Sequence, residues 1–440
     1  MNILIKSTYL LPAALLMLTA CSQEEPTPTE PAIDQIERIH FRTSLPGATS
    51  RAQIVSNDNL TEFKVTVFNP ADAANGKLDP FINNISVIKS EESDVFSSED
   101  CMWPAPGREK YDLTFFAYYP APANTDNNTT INGIEPAFDF KIPDFTISKD
   151  ISRQVDFIAA YKSVSMKSEM YTNIQLDFEH QLSRVEVNAK GENKSCKIEI
   201  AGVCIGGTYS KATFDFKPQS VAGDWILGDE KQTVQYIYAP GDKVVAISNT
   251  TSGVSIMGGT QDGNYAMLLP AEYTSWNYKN DNTNSGQGLY LGVLLRVIDT
   301  KGKQQYPYID TNQGPNALNI PRVYLAVGSD GTVMSGQLYK GNDGKYYTDS
   351  AMKTAYTLPQ GSVVKEFGWS ALPITGDWKP GYYYTYTLDY TYGVGLHTPD
   401  VEPSDGPNAG DPIISDKVGL TVTVKEWQNG SSANIVVPGS

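Results

Sequence analysis

Apolar and polar residues alternate with a period of two along almost the whole chain, and that period belongs to β-strands, whose successive side chains point to opposite faces. Ile39, Phe41, Thr43 and Leu45 alternate with His40, Arg42 and Ser44. Phe63, Val65 and Val67 follow, then Tyr111, Leu113, Phe115 and Ala117, then Ile174, Leu176, Phe178 and His180. The segments "YAMLLP", "LYLGVLLRVID" and "VYLAVG" are more uniformly apolar, as strands covered on both faces are. No stretch sustains the i, i+3, i+4, i+7 spacing of an amphipathic helix over about twelve residues. The chain is therefore expected to be all-β, and 440 residues suit two tandem β-sandwich domains better than one.

The alternation skips a beat at Ser183-Arg184, which predicts a β-bulge there. After "VEVNAKGENKS" a strand gives way to a short polar run, which places the domain boundary near Lys190. The expected division is residues 35–190 and residues 191–440. Within the second part, the Pro/Gly/Asp-rich connector Pro399 to Pro412 precedes a last strand, "GLTVTVKEW".

Residues 1–20 read as an export signal: Lys6, an apolar run from Tyr9 to Met17, then Leu18-Thr19-Ala20 before Cys21. The run is too short to span a bilayer. Small residues before a cysteine resemble the lipobox of bacterial lipoproteins, which implies a lipidated Cys21 holding the chain to the outer membrane; the alternative is an ordinary cleaved secretory signal. Residues 21–34, "CSQEEPTPTEPAID", read as an acidic, Pro-rich, extended tether. Its Glu24-Glu25 pair resembles a signal for display at the cell surface.

Beyond residue 20 the chain keeps all its basic residues but Lys6, 33 of the 34, against 50 acidic ones, a net charge near −17. Nucleic acid and anionic membrane surfaces would repel it. Metal chemistry has no foothold either: His40, His180 and His397 lie in separate segments, with no HExxH spacing and no CxxC. Cys196 alternates with Ile198 and Ile200 and reads as a buried thiol, with a Cys196–Cys204 disulfide as the alternative. There is no GxSxG elbow or Walker loop, and no pair of carboxylates that the sequence singles out for glycoside hydrolysis. No cofactor and no enzymatic activity are expected.

One segment invites a binding role. In "WKPGYYYTYTLDYTYGVG", alternation places Tyr382, Tyr384, Tyr386, Leu388, Tyr390 and Tyr392 on one face and Tyr383, Thr385, Thr387, Asp389 and Thr391 on the other. Tyrosine is both a strand former and a ring on which sugars stack. The expectation is a central strand covered on one side; the competing one is a glycan-binding platform on a monomeric surface lipoprotein.

Several segments together resemble the fimbrillin family, the type V pilin-like lipoproteins of Bacteroidetes-type bacteria. They are the lipobox, "YDLTFFAYYP", "DFIAA" followed by "LDFEHQLSRVEV", "YAMLLP", and "WKPGYYYTYTLDY" followed by "GLTVTVKEWQ". The resemblance implies two transthyretin-like sandwiches and a fimbrial structural or tip subunit that contributes to cell adhesion and has surface ligands on host or bacterial cells. It implies partners too: an Arg-specific surface protease that removes the first strand, and other fimbrial subunits that join by donor-strand exchange. Carried onto this chain, the removable strand is "IERIHFRTSL", with Ile39, Phe41 and Leu45 filling a groove, and the cleavage follows Arg51 in "PGATSRAQ", with Arg42 as the alternative. The donor strand would come from "GLTVTVKEWQNGSSANIVVP", through Leu420, Val422, Val424, Ile435 and Val437. Few residues follow "VKEW", which makes a tip or accessory subunit that accepts a strand without donating one an alternative to a stalk role.

Overall fold

The computed structural model describes residues 37–45, 55–69, 80–104, 112–120, 140–169, 172–217, 223–257, 265–279, 288–308, 320–399, 407–415, 417–426 and 432–435. Among these, only the turn Met166–Glu169 is α-helical and only Ile151–Arg153 forms a 3-10 turn; the rest of the regular structure is strand. The chain is all-β.

A first sheet runs in the order Ile174–Asp177, Phe41–Ser44, Phe96–Ser97, Ile82–Lys89, Glu62–Phe68, Asp112–Tyr119, Ile158–Ser165, Glu179–His180. Its two end strands belong to one continuous segment. Residues 174–177 bond to the first strand in parallel, and residues 179–180 bond to Ile158 and Ala159 at the opposite end. The sheet thus has both ends fastened by the same few residues, which removes free edges.

The expected alternation supplies its core. Phe63, Val65, Val67, Leu113, Phe115, Ala117, Ile174, Leu176 and Phe178 pack with Ile39 and Phe41. Their neighbours Phe68, Phe116 and Tyr118 point the other way and pack with Phe140 and Phe216 in a second apolar cluster. Strands buried on both faces lose the polar half of the alternation, which is why "FFAY" reads as a continuous apolar run.

Ser183–Gly191 begins a different sheet, ordered Thr250–Ser255, Ser183–Gly191, Tyr382–Asp389, Gly419–Glu426, Ser432–Ile435. The skipped beat is therefore not a bulge within one ladder. Glu179–His180 pairs in the first sheet, the chain passes Gln181 and Leu182 out of register, and Ser183 enters the second. A shift of one residue turns every later side chain over, and here it delivers Val185 and Val187 to the second cluster.

Facing this sheet is a larger one, Lys231–Ile237, Cys196–Tyr209, Tyr290–Asp299, Ser362–Pro373, Val323–Gly328. Ile198, Ile200, Leu291 and Leu295 share a cluster with Val185, Val187, Tyr386 and Leu388 from the tyrosine sheet. Lys141–Thr146, although inside residues 35–190, pairs with Lys211–Phe216, which also holds Gly223–Leu227.

The long strand Cys196–Tyr209 shifts register between Ile205 and Thr208, where Gly206 has the Tyr290 ring 2.0 Å from the place of a Cβ and Gly207 sits at φ +78°. Only glycine fits that pair of positions. Cys196 and Cys204 lie on this one strand, about 26 Å apart at the usual rise per residue. They cannot bridge; neither thiol is in a disulfide, Cys204 being buried and Cys196 half-buried.

Candidate functional site

Phe41–Ser44 is a short strand with most of its apolar surface inside the molecule. Ile39 and Phe41 are fully buried and Leu45 nearly so. The Phe41 ring meets Phe63 at 5.8 Å and Phe115 at 5.9 Å, both edge to face, the arrangement aromatic quadrupoles prefer. Arg42 and His40 point to solvent, as the period of two dictates.

Backbone bonds hold the strand on two sides. On one, Ile39 N donates to Cys101 O at 2.8 Å and Trp103 N to Glu37 O at 2.9 Å. On the other, Ile174 N donates to His40 O and Phe178 N to Ser44 O, both at 2.8 Å, and Ser44 Oγ donates to Asp177 Oδ1. Arg38 at the strand's start is paired only loosely, with Glu99 at 3.4 Å. If the strand departs, it leaves two facing rows of unpaired N–H and C=O groups over an apolar floor that includes Phe63, Phe115 and Phe178. Such a slot accepts an extended chain with apolar residues at alternate positions.

The next described residue after the strand is Val55, which is buried and whose N–H donates to Asp156 Oδ2 at 3.2 Å. The same oxygen lies 2.7 Å from His180 Nδ1, and both side chains are fully buried. Thus Leu45 and Val55 are two buried anchors on either side of the segment that contains Arg51. Asp156 is absent from the sequence-based expectations: one acid between Val155 and Phe157 gives no signal until the fold brings up its partners. His180 ends the alternating stripe of Ile174, Leu176 and Phe178 and is buried with them.

Arg51 itself lies outside the described residues, as do Cys21, the signal segment, the tether and Val437. The alternative cleavage residue, Arg42, is mid-strand with Gln175 as its ladder partner. Of the expected donor residues, Leu420, Val422 and Val424 sit on Gly419–Glu426, which pairs along its length with Tyr382–Asp389. Val422 is buried, while Leu420 and Val424 are half-buried. Ile435 closes the short strand Ser432–Ile435, bonded to the same neighbour from the other side.

The tyrosine run is a sheet wall. Tyr384, Tyr386, Leu388 and Tyr390 are buried in the predicted alternation, whereas Tyr392, past the end of the strand, is 77% exposed. Their hydroxyls are taken up internally: Trp378 Nε1 donates to Tyr386 Oη at 2.9 Å, and Tyr384 Oη donates to Asp377 O at 3.0 Å. Burial pushes the Tyr384 phenol up to about 12. On the reverse face the Arg184 guanidinium lies between the Tyr265 and Tyr383 rings, at 3.3 and 4.3 Å. Rings so enclosed offer no surface to a sugar.

His397 is buried beside Tyr306 and Tyr308, and burial lowers its imidazole to about 4 despite the opposing pull of Asp411. Among the described residues no three His, Cys, Asp or Glu side chains are grouped to hold a metal ion.

Comparison with known families matches residues 50–286, more than half of the chain, to a model described as fimbrillin-like. No curated protein sequence matches. Among solved structures, the chain is similar to a fimbrilin from Porphyromonas gingivalis W83, with 12% identity over 90% of this chain and 99% of that one and a TM-score of 0.36. A fimbrial assembly protein from Parabacteroides distasonis ATCC 8503 shares 9% identity over 91% and 99%, with a TM-score of 0.34. A candidate cell adhesion protein from Bacteroides eggerthii DSM 20697 shares 10% over 89% and 96%, with a TM-score of 0.40.

Proposed function

Because the chain belongs to the fimbrillin-like family, whose members are structural subunits and not enzymes, we propose that it is a fimbrial structural or tip subunit that contributes to adhesion at the cell surface. It is exported as a lipoprotein, acylated at Cys21 and held at the outer membrane until processed. An Arg-specific surface protease cuts after Arg51, the first strand leaves, and a strand from another subunit takes its place. Residues 35–190 and 191–440 act as two sandwich units, with Ser183–Gly191 carried across to the second.

The observation that carries this reading is the first strand's double character: four residues long, yet lodged between two strands with Ile39 and Phe41 wholly inside the core. A strand so short is held by few backbone bonds, and the hole that it leaves is apolar, so its loss creates a strong demand for a replacement. The buried anchors Leu45 and Val55 support cleavage between them and not within either anchored stretch, where burial shields the backbone from a protease. The pairing of Gly419–Glu426 with strands of its own chain on both sides favours a subunit that accepts a strand without donating one, hence a tip or accessory position.

Treating the purified full chain with an Arg-specific protease tests the scheme. A new N-terminus at Ala52, followed by oligomers that resist SDS when a donor subunit or donor peptide is added, is the expected result. Cleavage that leaves an unchanged monomer, with no uptake of an added strand, overturns it.

A further inference from the structure

The first strand takes more than apolar side chains with it when it departs. Its inner residues Ile39, Phe41 and Leu45 are buried, whereas Arg38, His40 and Arg42 on its outer side are exposed. One face is apolar and the other is basic.

The two walls that grip this strand are acidic. Residues 90–103, which hold one side of it through Phe96, Cys101 and Trp103, carry Glu91, Glu92, Asp94, Glu99 and Asp100, all exposed, and no lysine or arginine. Residues 172–180, which hold the other side, add Asp177 and Glu179 and again no lysine or arginine. The strand's arginines answer these acids: Arg38 Nη2 lies 3.4 Å from Glu99 Oε1. Lys89, at 2.9 Å, holds the Asp94 carboxyl below its ordinary value, and Arg42 adds to that pull. When the strand goes, Arg38 and Arg42 go with it and the wall carboxylates stay.

We infer that the emptied slot, taken as the exchange site proposed above, selects an incoming strand that is apolar on its inner face and basic on its outer one, with lysine or arginine at the places of Arg38 and Arg42. The period of two keeps these demands separate, because the teeth that fill the slot and the charges that meet its rim alternate along one strand. The chain carries a net charge of −16, so an acidic strand is turned away before it reaches the apolar floor. The rim carboxylates are exposed, with the Glu99 side chain at 88%, so water and salt screen them and each pair adds little to the final affinity. Their effect falls on encounter: like charges along both walls steer a basic strand into the slot and speed its association.

Uptake of three synthetic peptides tests the inference, on the full chain carrying Cys21→Ser, cut by an Arg-specific protease that is then inhibited, and freed of its first strand. The peptides are residues 36–45 unchanged, the same with Arg38→Gln and Arg42→Gln, and the same with Arg38→Glu and Arg42→Glu. Stopped-flow fluorescence should show the arginine peptide associating about tenfold faster than the glutamate peptide at about 20 mM salt, with the glutamine peptide between them and the gap closing at about 0.5 M. A Glu99→Lys, Asp100→Lys chain, changed only at exposed positions, narrows the gap at low salt. Equal rates for all three peptides at low salt overturn the inference and leave the slot standing. Uptake of none of them overturns it together with the exchange reading on which it rests.

Discussion

The first and last long-range strands of this chain are built to opposite specifications. Phe41–Ser44 pairs on both sides through four residues or fewer and keeps Ile39 and Phe41 at zero exposure. Gly419–Glu426 pairs through eight residues with Tyr382–Asp389, yet buries only Val422 fully. The first is weakly laddered and deeply sunk; the last is strongly laddered and shallow. Backbone bonds exchange readily for bonds to water and net about 1 kcal/mol each, whereas a buried aromatic ring is worth several. Removing the first strand therefore opens the core, while removing the last only uncovers a wall. A subunit that takes in a strand needs the former arrangement, and in this chain that arrangement exists at the N-terminal end.

The contrast predicts that Phe41→Ala costs about 3–5 kcal/mol of stability in the unprocessed chain, measured by urea unfolding, because the ring leaves a cavity among Phe63, Phe115 and their neighbours. A cost below about 1 kcal/mol would mean that the slot collapses when emptied, and the contrast with the last strand would disappear.

Acid gives a second test, in a different sheet of the molecule. His397 is neutral in the folded state at neutral pH, with its imidazole lowered from 6.5 to about 4 by burial. The unfolded chain takes up the proton first, so the stability that this residue lends is complete above about pH 6.5 and is lost as pH falls toward 4, a difference of about 3 kcal/mol. Replacing His397 with Asn should flatten the fall in stability between pH 7 and pH 4.5. Hydrogen exchange in the parent should then show the strands next to Leu396–His397 loosening at pH 4.5 while Phe41–Ser44 stays protected. Loss of protection at Phe41–Ser44 first would reverse the assignment of which region yields to acid.

What could be read beforehand follows the reach of the physics involved. A period of two is a local signal, so the strands, the inward faces of Phe63 to Val67 and the wall of Tyr384, Tyr386 and Tyr390 were legible from their own residues. Pairing is not local. Nothing in "HFRTS" announces a parallel partner at Ile174–Asp177, and nothing at Ser183 separates a bulge from a change of sheet, since both shift the alternation by one. The spacing of Tyr392 fits the wall, but the strand ends at Asp389 and the ring stands in solvent. Of the proposed exchange slot, Ile39, Phe41 and Leu45 are legible as apolar teeth, whereas the Asp156, His180 and Val55 contact is not, because its three members come from distant segments.

The smallest expected effect bears most directly on the choice between accepting and donating a strand. Leu420 lies opposite Leu388 in the ladder, half-buried at the rim of the wall. A side chain already in contact with water loses little on truncation, so Leu420→Ala should cost less than about 1 kcal/mol and leave the protease product and its capture of an added strand unchanged. If the substitution instead abolishes polymer formation while the folded monomer is unaffected, then Leu420 acts in another subunit's slot and not in its own sheet. The last strand would then be a donor, the tip assignment would fall, and the shallow burial of Gly419–Glu426 would be explained as the mark of a strand meant to leave.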